Sequence, residues 1–68
     1  MKVSYAKLFK LMIDKKMKKK DLQEMTGISA SSVAKLSRDE YVSMEVLIKI
    51  CSVFQVQMSE VVEIIYDV

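Results

Sequence analysis

The 68-residue chain has no histidine, no proline and no tryptophan, and only one glycine and one cysteine. Each scarcity removes a class of chemistry. Without histidine there is no Ser–His couple and no zincin-type metal site. Cys51 alone cannot build an intramolecular disulfide or a four-ligand zinc site. One glycine cannot furnish a Gly-rich loop around a phosphate. No apolar run approaches the roughly 18 residues of a membrane span, and no signal peptide is expected ahead of the fold, so a membrane is not an expected partner. A core this small should not enclose a pocket of about 300 Å³ with converging polar groups. Neither catalysis, a cofactor, a metal nor a small-molecule ligand is expected.

What is present suits a folded helical domain. Apolar residues make up 51% and charged residues 29%, far from a disordered composition. Six methionines with almost no glycine or proline point to helices joined by short turns. There is no internal repeat or linker, so residues 1–68 read as one domain. A chain of this length buries only about 60% of its unfolded surface, which makes stability marginal. The net charge of +2 hides an asymmetry. Residues 1–38 carry ten Lys/Arg and three acids, 10 − 3 = +7, whereas residues 39–68 carry one Lys and six acids, 1 − 6 = −5. Such a division suits a basic face offered to a polyanion and an acidic end turned away from it. A solvated lysine cluster that only aids solubility explains the charge equally well.

Five helices are expected. Tyr5, Leu8, Phe9, Leu11, Met12 and Ile13 recur at the spacing of an amphipathic helix over residues 4–16, with Ser4 as its N-cap. A short second helix over 19–26 turns Leu22 and Met25 inward and ends at Gly27, which reaches the left-handed conformation cheaply. Ile28 follows as an apolar plug, and Ser29 caps a third helix through Ser37 with Val33 and Leu36 inward. Asp39 to Val42 connect to a fourth helix capped by Ser43, with Glu45 against the positive dipole end. Its apolar face is Met44, Leu47, Ile48, Ile50, Cys51 and Phe54. A fifth helix runs from Met58 or Ser59 to Ile65, although its β-branched Val61, Val62, Ile64 and Ile65 suit a strand as well. Cys51 and the methionines are expected to fill the core.

Two short helices about a glycine turn form a helix-turn-helix over about 19–37, in which the second helix can enter a major groove. Asp21-Leu22, then Thr26-Gly27-Ile28-Ser29, Val33-Ala34-Lys35-Leu36, and Ser43-Met44-Glu45-Val46-Leu47-Ile48-Lys49-Ile50 resemble the Cro/phage-repressor-like (XRE) helix-turn-helix family. The resemblance runs from about Lys18 to Val61 and implies an all-α, five-helix lambda-repressor-like domain. It also implies sequence-specific binding of double-stranded DNA, usually by a homodimer on a palindromic operator, in the cytoplasm of a bacterium or on behalf of a phage. By resemblance, the start of the third helix and Lys35 face base edges, so Ser29, Ala30, Ser31, Ala34 and Lys35 are the base-contact candidates. Lys35 and Arg38 are the long cations suited to guanine, and Ala30 suits a thymine methyl. With so few donors there, DNA shape should carry much of the selectivity.

Lys18, Lys19 and Lys20 oppose the dipole at the start of the second helix, a local cost that phosphate binding would offset. Arg38, Tyr41 and Ser43 are candidates for a second phosphate grip, although Tyr41 could equally cover the edge of the core. The segment 58–68, with Val61, Val62, Ile64, Ile65, Tyr66 and Val68 rimmed by Glu60, Glu63 and Asp67, is the candidate dimer surface; the same residues could instead close the core over the first helix. A toxin or antirepressor protein is the alternative partner, with DNA binding then secondary. Three residues depart from the family pattern: Gln23 in place of a small alanine, Lys18 in place of a capping side chain, and Asp39 where glycine or asparagine is common. On sequence alone, Asp39→Gly should stabilise the fold by roughly 0.5–1 kcal/mol.

Overall fold

The computed structural model describes residues 2–66. The chain runs β1 (Lys2–Ser4), α1 (Ala6–Asp14), α2 (Lys19–Thr26), α3 (Ala30–Ser37), α4 (Met44–Phe54), a 3-10 turn (Met58–Glu60) and β2 (Glu63–Ile65). Ser29 Oγ accepts the Ser32 amide at 3.2 Å and Ser43 Oγ accepts the Val46 amide at 3.2 Å, so α3 and α4 both begin on a hydroxyl cap. Gly27 ends α2 in the left-handed region at φ 74° and donates its amide to Gln23 O at 2.9 Å. Thr26, itself buried, holds the same turn: its hydroxyl donates to Leu22 O at 2.6 Å and accepts from the Ile28 amide at 3.4 Å.

The fifth helix does not form. Its place is taken by a single 3-10 turn and by β2, which pairs antiparallel with β1 in the register Lys2↔Ile65, Val3↔Ile64 and Ser4↔Glu63. β-Branched side chains favour the pleated form once a strand is available to pair with, and the amino terminus supplies one. Ser4 accordingly lies in β1; its hydroxyl still accepts the Ala6 amide at 3.3 Å, while Tyr5 occupies the N-cap position of α1. Asp67 and Val68 lie outside the described residues.

The core is Tyr5, Leu8, Met12, Leu22, Ile28, Val33, Leu36, Leu47, Ile50, Phe54 and Val61. Several expected core residues are not in it. Ile13, Met25, Met44 and Ile48 are exposed, and Cys51 is half-buried with its thiol 4.0 Å from Met58 Sδ. Burial pushes the Cys51 thiol pKa up, and the Glu60 carboxylate adds to the shift. Gln23 is half-buried, so the longer side chain is accommodated without being expelled.

With a single glycine in the chain, three other residues take the left-handed conformation: Lys16, Asp39 and Gln55, at φ 55°, 55° and 56°. Gln55 gains something there, because its side-chain amide donates to Ser52 O at 2.7 Å. Asp39 gains more, and this reverses the sign expected for Asp39→Gly. Its Oδ1 accepts the Tyr5 backbone amide at 3.1 Å, and next to it the Tyr5 hydroxyl donates to Glu40 O at 2.8 Å. Tyr5 is 1% exposed, and burial raises its phenol pKa above 10.0.

Three stability changes follow. Gly27→Ala should cost about 1 kcal/mol through backbone strain alone, since an added Cβ meets nothing within 4 Å. Lys16→Gly should stabilise by about 0.5 kcal/mol. Asp39→Gly should lower stability by about 1 kcal/mol, because a hydrogen bond to a charged group outweighs the relief of strain, while Asp39→Asn should retain most of it. Urea titrations of the four variants check the signs.

Candidate nucleic-acid interface

The first element is the start of α2. Lys18 sits at the N-cap with extended backbone, φ −97° and ψ 165°. Its ammonium has no lone pair to accept an amide, so Lys18 caps nothing. Asp21 takes the reciprocal half of a capping box instead, its Oδ2 accepting the Lys18 amide at 2.9 Å. The amides of Lys19, Lys20 and Asp21 make no backbone hydrogen bond among the described residues, as the first turn of a helix dictates. Lys18, Lys19 and Lys20 are all exposed around them. The Lys19 ammonium lies 5.7 Å from the centroid of the Phe9 ring, where a cation–π attraction holds it at the junction of α1 and α2. The start of α2 thus combines three amides without a backbone partner among the described residues and three exposed lysines, a combination suited to an anion.

The second element is the outer side of α3. Val33 and Leu36 are buried, which turns Ala30, Ser31, Lys35 and Arg38 to solvent and leaves Ala34 half-buried beside them. Ser29 Oγ lies 3.0 Å from both the Ser31 and the Ser32 hydroxyls as well as capping the helix, so it serves the helix start first. The exposed surface is therefore low and small at its beginning, with Ser31 as a short hydroxyl donor and Lys35 as a long cationic one.

Arg38 differs from its expected role as a free cation. Its Nε donates to Glu40 Oε2 at 2.7 Å, with both side chains about half exposed, so its charge is already paired. Tyr41 is 69% exposed, which removes it from the core edge. Ser43 is exposed, and its hydroxyl is engaged as the α4 cap. Lys35, Asp39, Glu40, Tyr41 and Lys2 line a shallow groove alongside α3, which therefore holds both cations and carboxylates.

The expected dimer surface divides. Val61 is 0% exposed and belongs to the core, so it cannot face a partner. Val62 and Ile65 are half-buried. Ile64 at 54% and Tyr66 at 65% are exposed. Tyr5 was legible only as a core aromatic: nothing in its own sequence neighbourhood signals the two hydrogen bonds it makes beyond α3.

Residues 7–67 match the model of the Cro/C1-type helix-turn-helix DNA-binding domain. Among solved structures, the chain is similar to the crystal structure of the transcriptional regulator VanUg, form II, with 45% sequence identity and a TM-score of 0.87. That alignment covers 91% of this chain and 83% of the other. No curated protein matches the chain.

The lysines at the start of α2 should behave unequally in the free protein. Lys20→Gln should stabilise the fold by a few tenths of a kcal/mol by removing a charge that opposes the dipole. Lys19→Gln should give no such gain, because the Phe9 contact is lost with the charge. Thermal unfolding at low salt separates the two.

Proposed function

The chain belongs to the Cro/C1-type helix-turn-helix DNA-binding domain family, and from that premise we propose that it is a small transcriptional repressor. It acts as a homodimer on a palindromic operator in the cytoplasm, with α3 in the major groove and the α2 start on the flanking phosphates. Ser31 and Lys35 read base edges, with Ala30 and Ala34 against thymine methyl groups; Lys18, Lys19 and Lys20 hold phosphates, and Tyr41 and Ser43 form the second grip. Arg38 contributes by keeping the turn closed through Glu40 and contacts phosphate only where that pair opens. No catalytic step and no cofactor belong to this function.

The observation that carries the reading is the start of α2, where three exposed lysines in succession open a helix whose first amides have no backbone partner among the described residues. A protein that needed only solubility would place those charges where the helix dipole welcomes them. The same basic half of the chain holds α3, whose small outward residues permit close approach to a groove floor. The reading requires a homodimer because one such unit reads too few base pairs for operator-grade selectivity.

The test is selection of duplexes from a randomised pool at about 0.15 M salt, repeated with Lys35→Ala. The wild type should enrich an inverted repeat with centres about 10 base pairs apart. Lys35→Ala should relax one position of each half-site, at a cost of about 1–3 kcal/mol. Lys20→Gln should instead weaken all sequences alike and reduce the salt slope by about one. Enrichment of no sequence by the wild type contradicts the proposal.

A further inference from the structure

We propose that Glu40 is an internal stand-in for a DNA phosphate: it holds Arg38 in the free protein, so that a duplex must exchange a carboxylate for a phosphate. This rests on the DNA-binding reading above and assigns a residue that limits the strength of that binding. Arg38 is the chain's only arginine, and a guanidinium is the side chain best shaped to a phosphate. Its Nε donates to Glu40 Oε2 at 2.7 Å, the short separation of a charge-assisted hydrogen bond. Carboxylate and phosphate oxygens make the same kind of contact with a guanidinium, so the two anions compete for it. The neighbouring acid is committed elsewhere, since Asp39 Oδ1 accepts the Tyr5 amide at 3.1 Å.

An exposed ion pair contributes little where two long side chains must first be ordered. Here the backbone of both residues is already fixed. The Arg38 amide donates to Ala34 O at 3.2 Å and to Lys35 O at 3.1 Å. The Glu40 amide donates to Lys35 O at 2.9 Å, and Glu40 O accepts the buried Tyr5 hydroxyl at 2.8 Å. The turn thus holds the carboxylate beside the guanidinium, and only side-chain rotation is left to restrict. The same carboxylate belongs to the reading surface, because Glu40 lines the shallow groove together with Lys35 and Tyr41. Among the described residues Lys18, Lys19, Lys20 and Lys35 form no ion pair. A duplex against α3 therefore meets those lysines as free cations and Arg38 as a neutralised one. Glu40 withdraws one cation from the count of phosphates that the protein can neutralise.

The test is equilibrium binding of a mixed-sequence duplex and of a selected duplex over about 0.05–0.2 M salt. The proteins are the wild type, Glu40→Gln, Arg38→Gln and the double variant. Glu40→Gln should bind both duplexes roughly fivefold more tightly at about 0.15 M salt and steepen the salt slope by about one, as one further neutralised phosphate requires. The gain should vanish in the Arg38→Gln background, because Glu40 acts through Arg38; a double-mutant cycle isolates that coupling. Helical circular dichroism should be retained, since Glu40 makes its contacts with the fold through its backbone. Without DNA, the Arg38 Nε–H, the chain's single guanidinium signal, should exchange with water more slowly in the wild type than in Glu40→Gln. An equal gain in both backgrounds overturns the proposal, because Glu40 then repels DNA independently of Arg38. A gain confined to the selected duplex also overturns it, since a phosphate contact carries no sequence information. Equal exchange of the Arg38 Nε–H in the two proteins overturns it and leaves the DNA-binding role intact. If none of the four proteins binds either duplex, the DNA-binding reading fails and the proposal with it.

Discussion

Tyr5 joins the two ends of the structure that matter most for α3. Its ring is buried in the core, its backbone amide is accepted by Asp39 and its hydroxyl donates to Glu40 O. Asp39 accepts that amide from a left-handed turn, and beside it Glu40 pairs with Arg38. The carboxyl end of α3 is therefore positioned by a residue more than thirty positions earlier, at the start of α1. Its amino end is positioned by the Thr26–Gly27 turn and the Ser29 cap. A helix held at both ends can present Ser31 and Lys35 in a fixed orientation, which a reading surface requires.

The chain solves an unusual constraint with one glycine. Gly27 sits in the turn between α2 and α3, and the other three left-handed positions are borne by Lys16, Asp39 and Gln55. At Asp39 and Gln55 the side chain recovers part of the strain through a hydrogen bond. For Lys16 no such recovery is seen among the described residues. The strain at Asp39 is thus coupled to the fold's long-range order, while that at Lys16 is local.

Features set by neighbouring residues were legible in the sequence. The Ser29 and Ser43 caps, the Gly27 terminus and the inward Leu22, Val33 and Leu36 depend on contacts a few residues apart, and sequence spacing reports them directly. Features set by distant partners were not. The β-branched residues of β2 suit helix or strand, and only β1, some sixty residues away in the chain, decides between them by pairing with it. Val61 reads as surplus apolar surface until the tail folds back over the core. In the candidate interface, the three lysines and the outward face of α3 were legible from charge and periodicity. The engagement of Arg38 was hidden, since its pairing with Glu40 depends on the conformation of Asp39 between them. Met25, Met44 and Ile48 carried helical spacing but face outward, because four helices of this length cannot cover every apolar side.

The division of charge along the chain acquires a spatial meaning from these contacts. The basic half builds α1 to α3, the acidic half builds α4, the 3-10 turn and β2, and Lys7 bridges toward the acidic end through Ser59 O. The central claim is that duplex DNA lies against the start of α2 and the outer side of α3. Amide chemical shifts followed during titration with a selected duplex test it most directly. The account predicts the largest changes at Lys18–Lys20 and Ser29–Lys35, with Lys7 and Lys10 on α1 little affected. Changes centred on Lys7 and Lys10, with α3 unmoved, would contradict it.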